Sequence, residues 1–307
     1  MRYSLATIIK NQNSIKVSSY SIKDLERISG IKAHTLRIWE QRYNIISPKR
    51  SETNIRNYND EDLKTILNIG ILNNSGYKIS KIAEMPKAAI TASVLEITCS
   101  NFDANVQVDN LIISMTEMDE ERFEKFLSAN IIRLGFEKTF LEILHPFMVK
   151  VSILWITNSI NPAQEHFISN LVRQKLIAAI DGVSIDIKSN ASKCLLYLPE
   201  NELHEINLLF ANLVLKRQGY KTIYLGQSVP YSDIKMVCEL HKPKYIISVI
   251  TCTMADISVE QYTEQLCNDF PKQKILLSGY QFLNNFAKVP ATAKVFKTPT
   301  ELLALVA

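Results

Sequence analysis

The stretch CLLYLPENELHEIN, Cys194–Asn207, decides the fold of the C-terminal part of the chain. Cys194-Leu195-Leu196-Tyr197-Leu198 is an unbroken apolar run, the pattern of a parallel strand covered on both faces. Pro199-Glu200-Asn201 ends it, and helical periodicity is read over 203–218, closing at Gly219. The alternation then repeats: Thr222–Leu225, a helix from about 231, Tyr245–Ile250, a helix over 258–268, Ile275–Leu277 and a last strand near Val295. Strand and helix in strict turn predict a Rossmann-like, doubly wound parallel α/β sheet. Ligands of such sheets sit at the carboxyl ends of the strands, so the loop after the first strand is the place to look. No GxGxxG follows that strand, which argues against a dinucleotide. The loop instead offers Glu202-Leu203-His204. An imidazole on a loop can ligate a metal, with a carboxylate holding its other nitrogen.

Working outward, the residues before this sheet read as helix from about Val106 to Val183, broken at Gly135 and restarted at Pro162. Four segments, around 106–115, 119–134, 137–159 and 162–184, each carry an apolar stripe, and a four-helix bundle follows. Trp155 ends one segment and Glu165-His166 open the next, at one end of that bundle.

The first quarter differs in charge. Residues 1–86 hold 14 Lys/Arg against 8 Asp/Glu, net +6, whereas the remainder is net −2. A basic segment on a near-neutral body is the footprint of a partner that is an acidic polymer. Within YSIKDLERISGIKAHTLRIWEQRY, 20–43, Ser21 can cap a helix bearing Ile22, Leu25 and Ile28. Gly30 breaks it, and Leu36, Ile38, Trp39 and Tyr43 mark a second helix, giving a helix-turn-helix. The recognition helix would present Lys32, His34, Thr35 and Arg37 to base edges. Downstream, Pro48 and the polar residues to Asn54 suggest a small β-wing with Lys49, Arg50 and Arg56 at phosphates and Tyr58 beside them.

This segment resembles the DNA-binding domain of the MerR family of transcription regulators. Thr35 through Tyr43, Ser47-Pro48-Lys49-Arg50, Arg56-Asn57-Tyr58 before Asp60, and Ile79-Ser80-Lys81-Ile82 carry the resemblance. It implies a winged helix-turn-helix binding double-stranded operator DNA as a dimer, with Arg37, Arg42, Tyr43, Arg50, Arg56 and Tyr58 among the contacts. Either Trp39 or Tyr43 is expected in the core instead. Thr53-Asn54-Ile55 stands where that family often has Gly at the wing tip.

The C-terminal segment resembles cobalamin-binding domains through Glu202-Leu203-His204, Tyr224-Leu225-Gly226, Val229-Pro230, Ser248-Val249-Ile250 and Ser278-Gly279. The chain from about 15 onward is similar to cobalamin-dependent, light-responsive repressors of the CarH/LitR and CarA type. That resemblance implies His204 as lower ligand of the cobalt of adenosylcobalamin. It also implies Ser248 and Gly279 along the channel for the nucleotide tail, and Trp155, Glu165 and His166 over the upper face. It further implies a repressor whose operator binding follows its oligomeric state, a homodimer or a ligand-dependent tetramer. Asn207 and Ser278 stand where the motifs have Gly, and Ile156 stands where photoresponsive members carry a His. Two alternatives stay open: a corrinoid carrier of a methyltransferase or mutase, and a cobalamin-independent regulator using the fold as a scaffold.

The organisation expected is thus multidomain: a winged helix-turn-helix head at 15–86, a linker at 87–105, a four-helix bundle at 106–188 and a Rossmann-like domain at 189–307. With 307 residues, 47% hydrophobic and 21% charged, the chain has globular composition and length for about two domains. No apolar run suits a membrane span and no signal peptide is read, so the cytoplasm is expected. Five Cys without CxxC spacing argue against a disulfide framework and a thiolate zinc site. No Ser-His-Asp set, P-loop or metalloprotease motif suggests an enzyme.

Overall fold

The computed structural model describes residues 19–51, 53–100, 103–184, 191–284 and 286–307; for 98–100 and Ile156 it describes the backbone alone. The expected domain edges at 15, 188 and 189, the Cys99 thiol and the Ile156 side chain lie outside the described residues. The chain divides into two compact units, Met1–Leu171 and Val172–Ala307.

The first unit opens with α1 (Ile22–Ser29) and α2 (Ala33–Tyr43). Ser21 and Asp24 cap α1 reciprocally, satisfying two of the amides a helix start leaves bare. Gly30 ends it in the left-handed conformation, φ 73°. The wing strands β1 (Lys49–Arg50) and β2 (Arg56–Asn57) pair antiparallel. At its tip Asn54 takes φ 62°, a conformation Asn tolerates better than most side chains, and its Oδ1 accepts from Arg50 Nη1 at 2.8 Å. The missing glycine is thus met by a residue with its own local hydrogen bond.

Next come α3 (Asp60–Asn74), α4 (Ile79–Ile82) and α5 (Lys87–Ser100). Residues 66–72 of α3 are buried on every side, so this helix is a shared core rather than a surface element. It packs on α1, on α5 and on α6 (Ala104–Glu117). The bundle continues with α7 (Glu120–Leu134), α8 (Phe136–Thr139), a π-helical turn (Phe140–Leu144), α9 (His145–Ile156) and α10 (Pro162–Asp181). The third expected helix is therefore interrupted. Pro146 cannot donate to the ladder and its ring crowds the carbonyl four residues back, and the π turn before it relieves both. That helix also stops at Ile156 rather than 159, where Asn158 turns left-handed at φ 55°.

Helix α9 is tied to α1 and α6 by one cation. Lys150 Nζ donates to the Ile28 carbonyl at 2.8 Å and to Asp109 Oδ1 at 3.1 Å. Burial pushes the Asp109 carboxyl up to about 6, and Lys150 limits the rise. A folded pKa above the unfolded one means that Asp109 favours the fold at low pH, a contribution lost as pH rises through about 6. Lys150→Met keeps the packing stem and removes the charge. It is expected to cost about 2–3 kcal/mol at pH 7, by leaving a carboxylate without its cation, and visibly less at pH 5. Urea unfolding at the two pH values checks this; an equal loss at both would refute the assignment.

In the second unit, β3 (Lys193–Pro199), α11 (Ile206–Arg217), β4 (Lys221–Val229), α12 (Tyr231–His241), β5 (Tyr245–Val249), α13 (Val259–Asp269), β6 (Lys274–Ser278), α14 (Tyr280–Leu283), β7 (Ala293–Val295) and α15 (Pro299–Val306) follow in order. The five strands β3–β7 form one parallel sheet in the order β4-β3-β5-β6-β7. Both faces are covered: Leu195, Tyr197, Ile246 and Leu277 join one apolar cluster, Cys194, Leu196, Ile247 and Leu276 the other. This is why the strands read as continuous apolar runs. The helix expected from 203 starts only at Ile206. Residues 200–205 remain a loop, with Asn201 at φ 67° and Glu202 held by distant amides. No helix among the described residues is long and apolar enough to cross a membrane.

Candidate functional site

In the order β4-β3-β5, the connections leaving β3 and β5 depart to opposite sides, opening a crevice at their carboxyl ends. The loops after these two strands meet there. Glu202, 4% exposed, spends both oxygens. Oε2 accepts from the Thr251 and Cys252 amides at 2.7 and 2.8 Å. Oε1 accepts from the His204 amide at 3.1 Å and faces His204 Nδ1 at 2.6 Å. Burial alone would raise its pKa, but His204 and the three amides outweigh it and hold the carboxyl at about 2. A permanent carboxylate thus fixes the ring. With Nδ1 on Glu202, Nε2 is the nitrogen His204 would offer a metal, and the His204 side chain is 60% exposed.

Around this pair, Gln227 Nε2 donates to the Leu203 carbonyl at 2.6 Å, and Ser228 Oγ accepts from Asn201 N at 3.0 Å. Glu205, 5% exposed, receives Arg173 Nε on one oxygen and Tyr224 OH at 3.1 Å on the other. Sequence reasoning missed Cys252, Glu205 and Arg173, and took Tyr224 only as part of a matching motif, without its contact to Glu205. Only the place of Thr251-Cys252, just past an apolar strand, could have signalled the first.

Gly279 follows β6 with φ 106°, and a Cβ there would lie 2.3 Å from the Ile250 carbonyl oxygen. Only glycine fits, and the backbone stays low at this rim. Beside it lies a cleft of about 450 Å³ lined by Met254, Ile257, Tyr280, Gln281 and Phe286, among others. Ser248, expected along a tail channel, is fully buried and its Oγ donates to the Tyr197 carbonyl at 3.0 Å, so it serves the sheet. Asn207 is exposed in the first turn of α11, and Ser278 is buried at the end of β6. The residues present fit a corrinoid: an oriented, exposed imidazole, a rim only glycine can form and an apolar cleft beside it.

In the first unit, Trp155 lies in the last turn of α9 and is 46% exposed, an unusual position for so large a ring. Glu165 and His166 lie in the first turns of α10, with Oε2 and Nδ1 3.0 Å apart, and Ser169 Oγ donates to Glu165 at 2.6 Å. Asn161 and Gln164 cap that helix start reciprocally. Gln164 Nε2 also reaches Asp60 Oδ2 at 3.3 Å, whose Oδ1 accepts from Tyr20 OH at 2.6 Å. The start of α10 is therefore wired to the start of α3 in the head.

On the head, Lys32, His34, Arg37, Arg42, Lys49 and Arg50 are exposed, and Thr35 and Tyr43 are half-buried. Trp39 is the aromatic that enters the core. Arg56 Nε donates to both Glu40 oxygens at 3.1 and 2.9 Å, and Arg50 lies 3.7 Å from the same carboxylate. These two arginines therefore brace the wing on α2. Tyr58, expected beside phosphates, is instead 1% exposed and bridged to Tyr20 through both backbones. Burial pushes its phenol up to about 12, and in this position it supports the head rather than touching DNA.

The described residues thus comprise a winged helix-turn-helix, a helical bundle and a parallel α/β sheet with an oriented loop histidine. Residues 20–88 match the MerR HTH family regulatory protein model, and residues 107–179 match the B12 binding domain model. The chain is homologous to two transcriptional repressors of Myxococcus xanthus. It is 26% identical over 254 residues to HTH-type transcriptional repressor CarH, covering 81% of this chain and 83% of that one. It is 25% identical over 237 residues to HTH-type transcriptional repressor CarA, covering 73% and 74%. Among solved structures, the monomethylamine corrinoid protein of Methanosarcina barkeri is 12% identical, with coverage of 69% and 94% and a TM-score of 0.49.

Proposed function

We propose that this chain is a DNA-binding transcriptional repressor that carries a cobalamin as sensor. The observation that carries the reading is the Glu202–His204 pair: a buried, permanently charged carboxylate orienting an exposed imidazole at the switch point of a parallel sheet. The homology to two repressors along most of the chain supports the regulatory half.

In this reading Arg37, Arg42 and Lys49 meet operator DNA, with Lys32, His34 and Thr35 nearest base edges. The head acts in pairs on a two-fold related site. His204 would hold the cobalt through Nε2, Gly279 and the cleft beside it would take the nucleotide tail, and Trp155, Glu165 and His166 would supply the contacts from the helical bundle. When bound, cobalamin supplies a cobalt–carbon bond that light or exchange can alter. The state of that ligand sets the oligomer, and the oligomer sets operator affinity through valency. By residue type Ile156 offers cobalt no donor, so a second imidazole ligand does not come from that position.

The test is a dark titration with adenosylcobalamin, desalting and absorbance, beside His204→Ala, followed by operator binding across salt. The wild type is expected to keep a corrinoid spectrum, with retention reduced at least tenfold in the variant. Affinity for its own upstream DNA should fall steeply with salt through phosphate contacts. A colourless wild type that still binds DNA would overturn the cobalamin half. Colour without sequence-selective DNA binding would make the chain a corrinoid carrier.

A further inference from the structure

The crevice beside β3 and β5 holds a third potential ligand that the corrinoid reading does not use. Cys252 is exposed, and its Sγ lies 3.6 Å from His204 Nδ1. Glu202 Oε1 is 2.6 Å from the same nitrogen. One ligand atom from each of Glu202, His204 and Cys252 lies within 4.8 Å of the others. We propose that these three side chains form a binding site for a thiophilic divalent cation of the zinc type, reached by His204 through Nδ1.

The geometry suits such an ion. Bonds of about 2.0–2.3 Å to N, O and S in a tetrahedron put neighbouring ligand atoms about 3.3–3.7 Å apart. The sulfur–nitrogen distance is already there. The oxygen–nitrogen edge must open slightly, and His204, more than half exposed, can swing while the amides of Thr251 and Cys252 hold Glu202 still. The Cys252 amide that anchors the carboxylate also holds the backbone from which its thiol extends. Thiol, imidazole and carboxylate together select zinc-type ions over magnesium or calcium, and three protein ligands leave one position open. On binding, the thiol proton leaves to solvent and the ring proton resides on Nε2. Cysteine spacing gave no hint of this because Cys252 comes from a loop distant in sequence from the one that carries Glu202 and His204.

A consequence follows for the corrinoid, and this part rests on the function proposed above. A neutral imidazole has one lone pair. Metal at Nδ1 leaves none on Nε2 for cobalt, so zinc and corrinoid compete for His204.

The experiment uses the full-length, corrinoid-free protein. Co²⁺, as spectroscopic stand-in for Zn²⁺, is expected to give a near-ultraviolet thiolate-to-metal band saturating at one equivalent and displaced by Zn²⁺. Cys252→Ser, which keeps the backbone amide, should lose that band and weaken Zn²⁺ binding at least tenfold. An absent band, or one that persists in Cys252→Ser, overturns the site. In the second arm Zn²⁺ should lower adenosylcobalamin retention by the wild type at least fivefold and leave retention by Cys252→Ser unchanged. Equal retention with and without bound zinc overturns the competition. A wild type that retains no corrinoid even without zinc defeats the cobalamin reading, and the cobalt band then decides the metal site alone.

Discussion

Gly279→Ala is expected to destabilise the second unit by about 3–5 kcal/mol and to abolish corrinoid retention. Two costs add at this residue. Its φ of 106° is strained for any L side chain, and the new Cβ would stand 2.3 Å from the Ile250 oxygen and 2.7 Å from its carbon and nitrogen. None of these is the end of a flexible chain, and the neighbours cannot retreat cheaply. Ile250 N donates to the Ser278 carbonyl at 2.8 Å, Gln281 N donates to the Ile250 carbonyl, and Phe282 and Leu283 N both donate to the Gly279 carbonyl. Relief of the clash therefore breaks the hydrogen bonds that end β6 and start α14. Gly182→Ala is the matched control. Its Cβ would meet Ala178 O at 3.4 Å, an ordinary contact, so a change below about 1 kcal/mol is expected. Urea unfolding of both variants decides it; equal midpoints would show that the rim is pliable.

How far such features were legible in the sequence depends on the range of the interaction behind them. The Ser21 and Gly30 punctuation of α1 is local chemistry, and the structure shows the helix between them. The apolar runs of β3 and β5 report burial on two faces, which needs no knowledge of neighbours. The Glu202-x-His204 contact was legible because both residues sit on one short loop. The position of Cys252 was not, because it depends on β5 lying next to β3, and strand order is a property of the whole sheet. Tyr58 misled for the same reason. Its ladder partner is Tyr20, 38 residues earlier, and that pairing turns a seemingly exposed aromatic into core. Asn54 shows the converse. A departure from a glycine-containing wing is accommodated by the one nearby residue that tolerates positive φ and can hydrogen-bond its own turn.

Glu202→Gln should remove most of the order in the crevice, and pH separates this from a general loss of packing. The wild-type carboxylate accepts from the amides of Thr251, Cys252 and His204 and from the His204 ring, all donors. A glutamine offers one accepting oxygen and turns N–H groups toward donors on the other side, leaving buried amides unsatisfied at about 1–3 kcal/mol each. The linkage runs in one direction. A folded pKa of about 2, against the ordinary carboxylate value of 4.5, means that Glu202 stabilises the fold above about pH 4.5, a contribution lost as pH falls toward 2. The stabilisation this represents is about 3 kcal/mol. The variant should therefore lie about 3 kcal/mol below the wild type at pH 7, and the gap should shrink by more than half at pH 3 and close only as pH falls toward 2. Urea midpoints at both pH values read this directly. A gap that stays constant would mean that the carboxylate is bulk rather than charge. Corrinoid retention should follow the stability gap at pH 7, because a ring without its carboxylate keeps neither its tautomer nor its angle, and Nε2 then reaches cobalt in only a fraction of molecules.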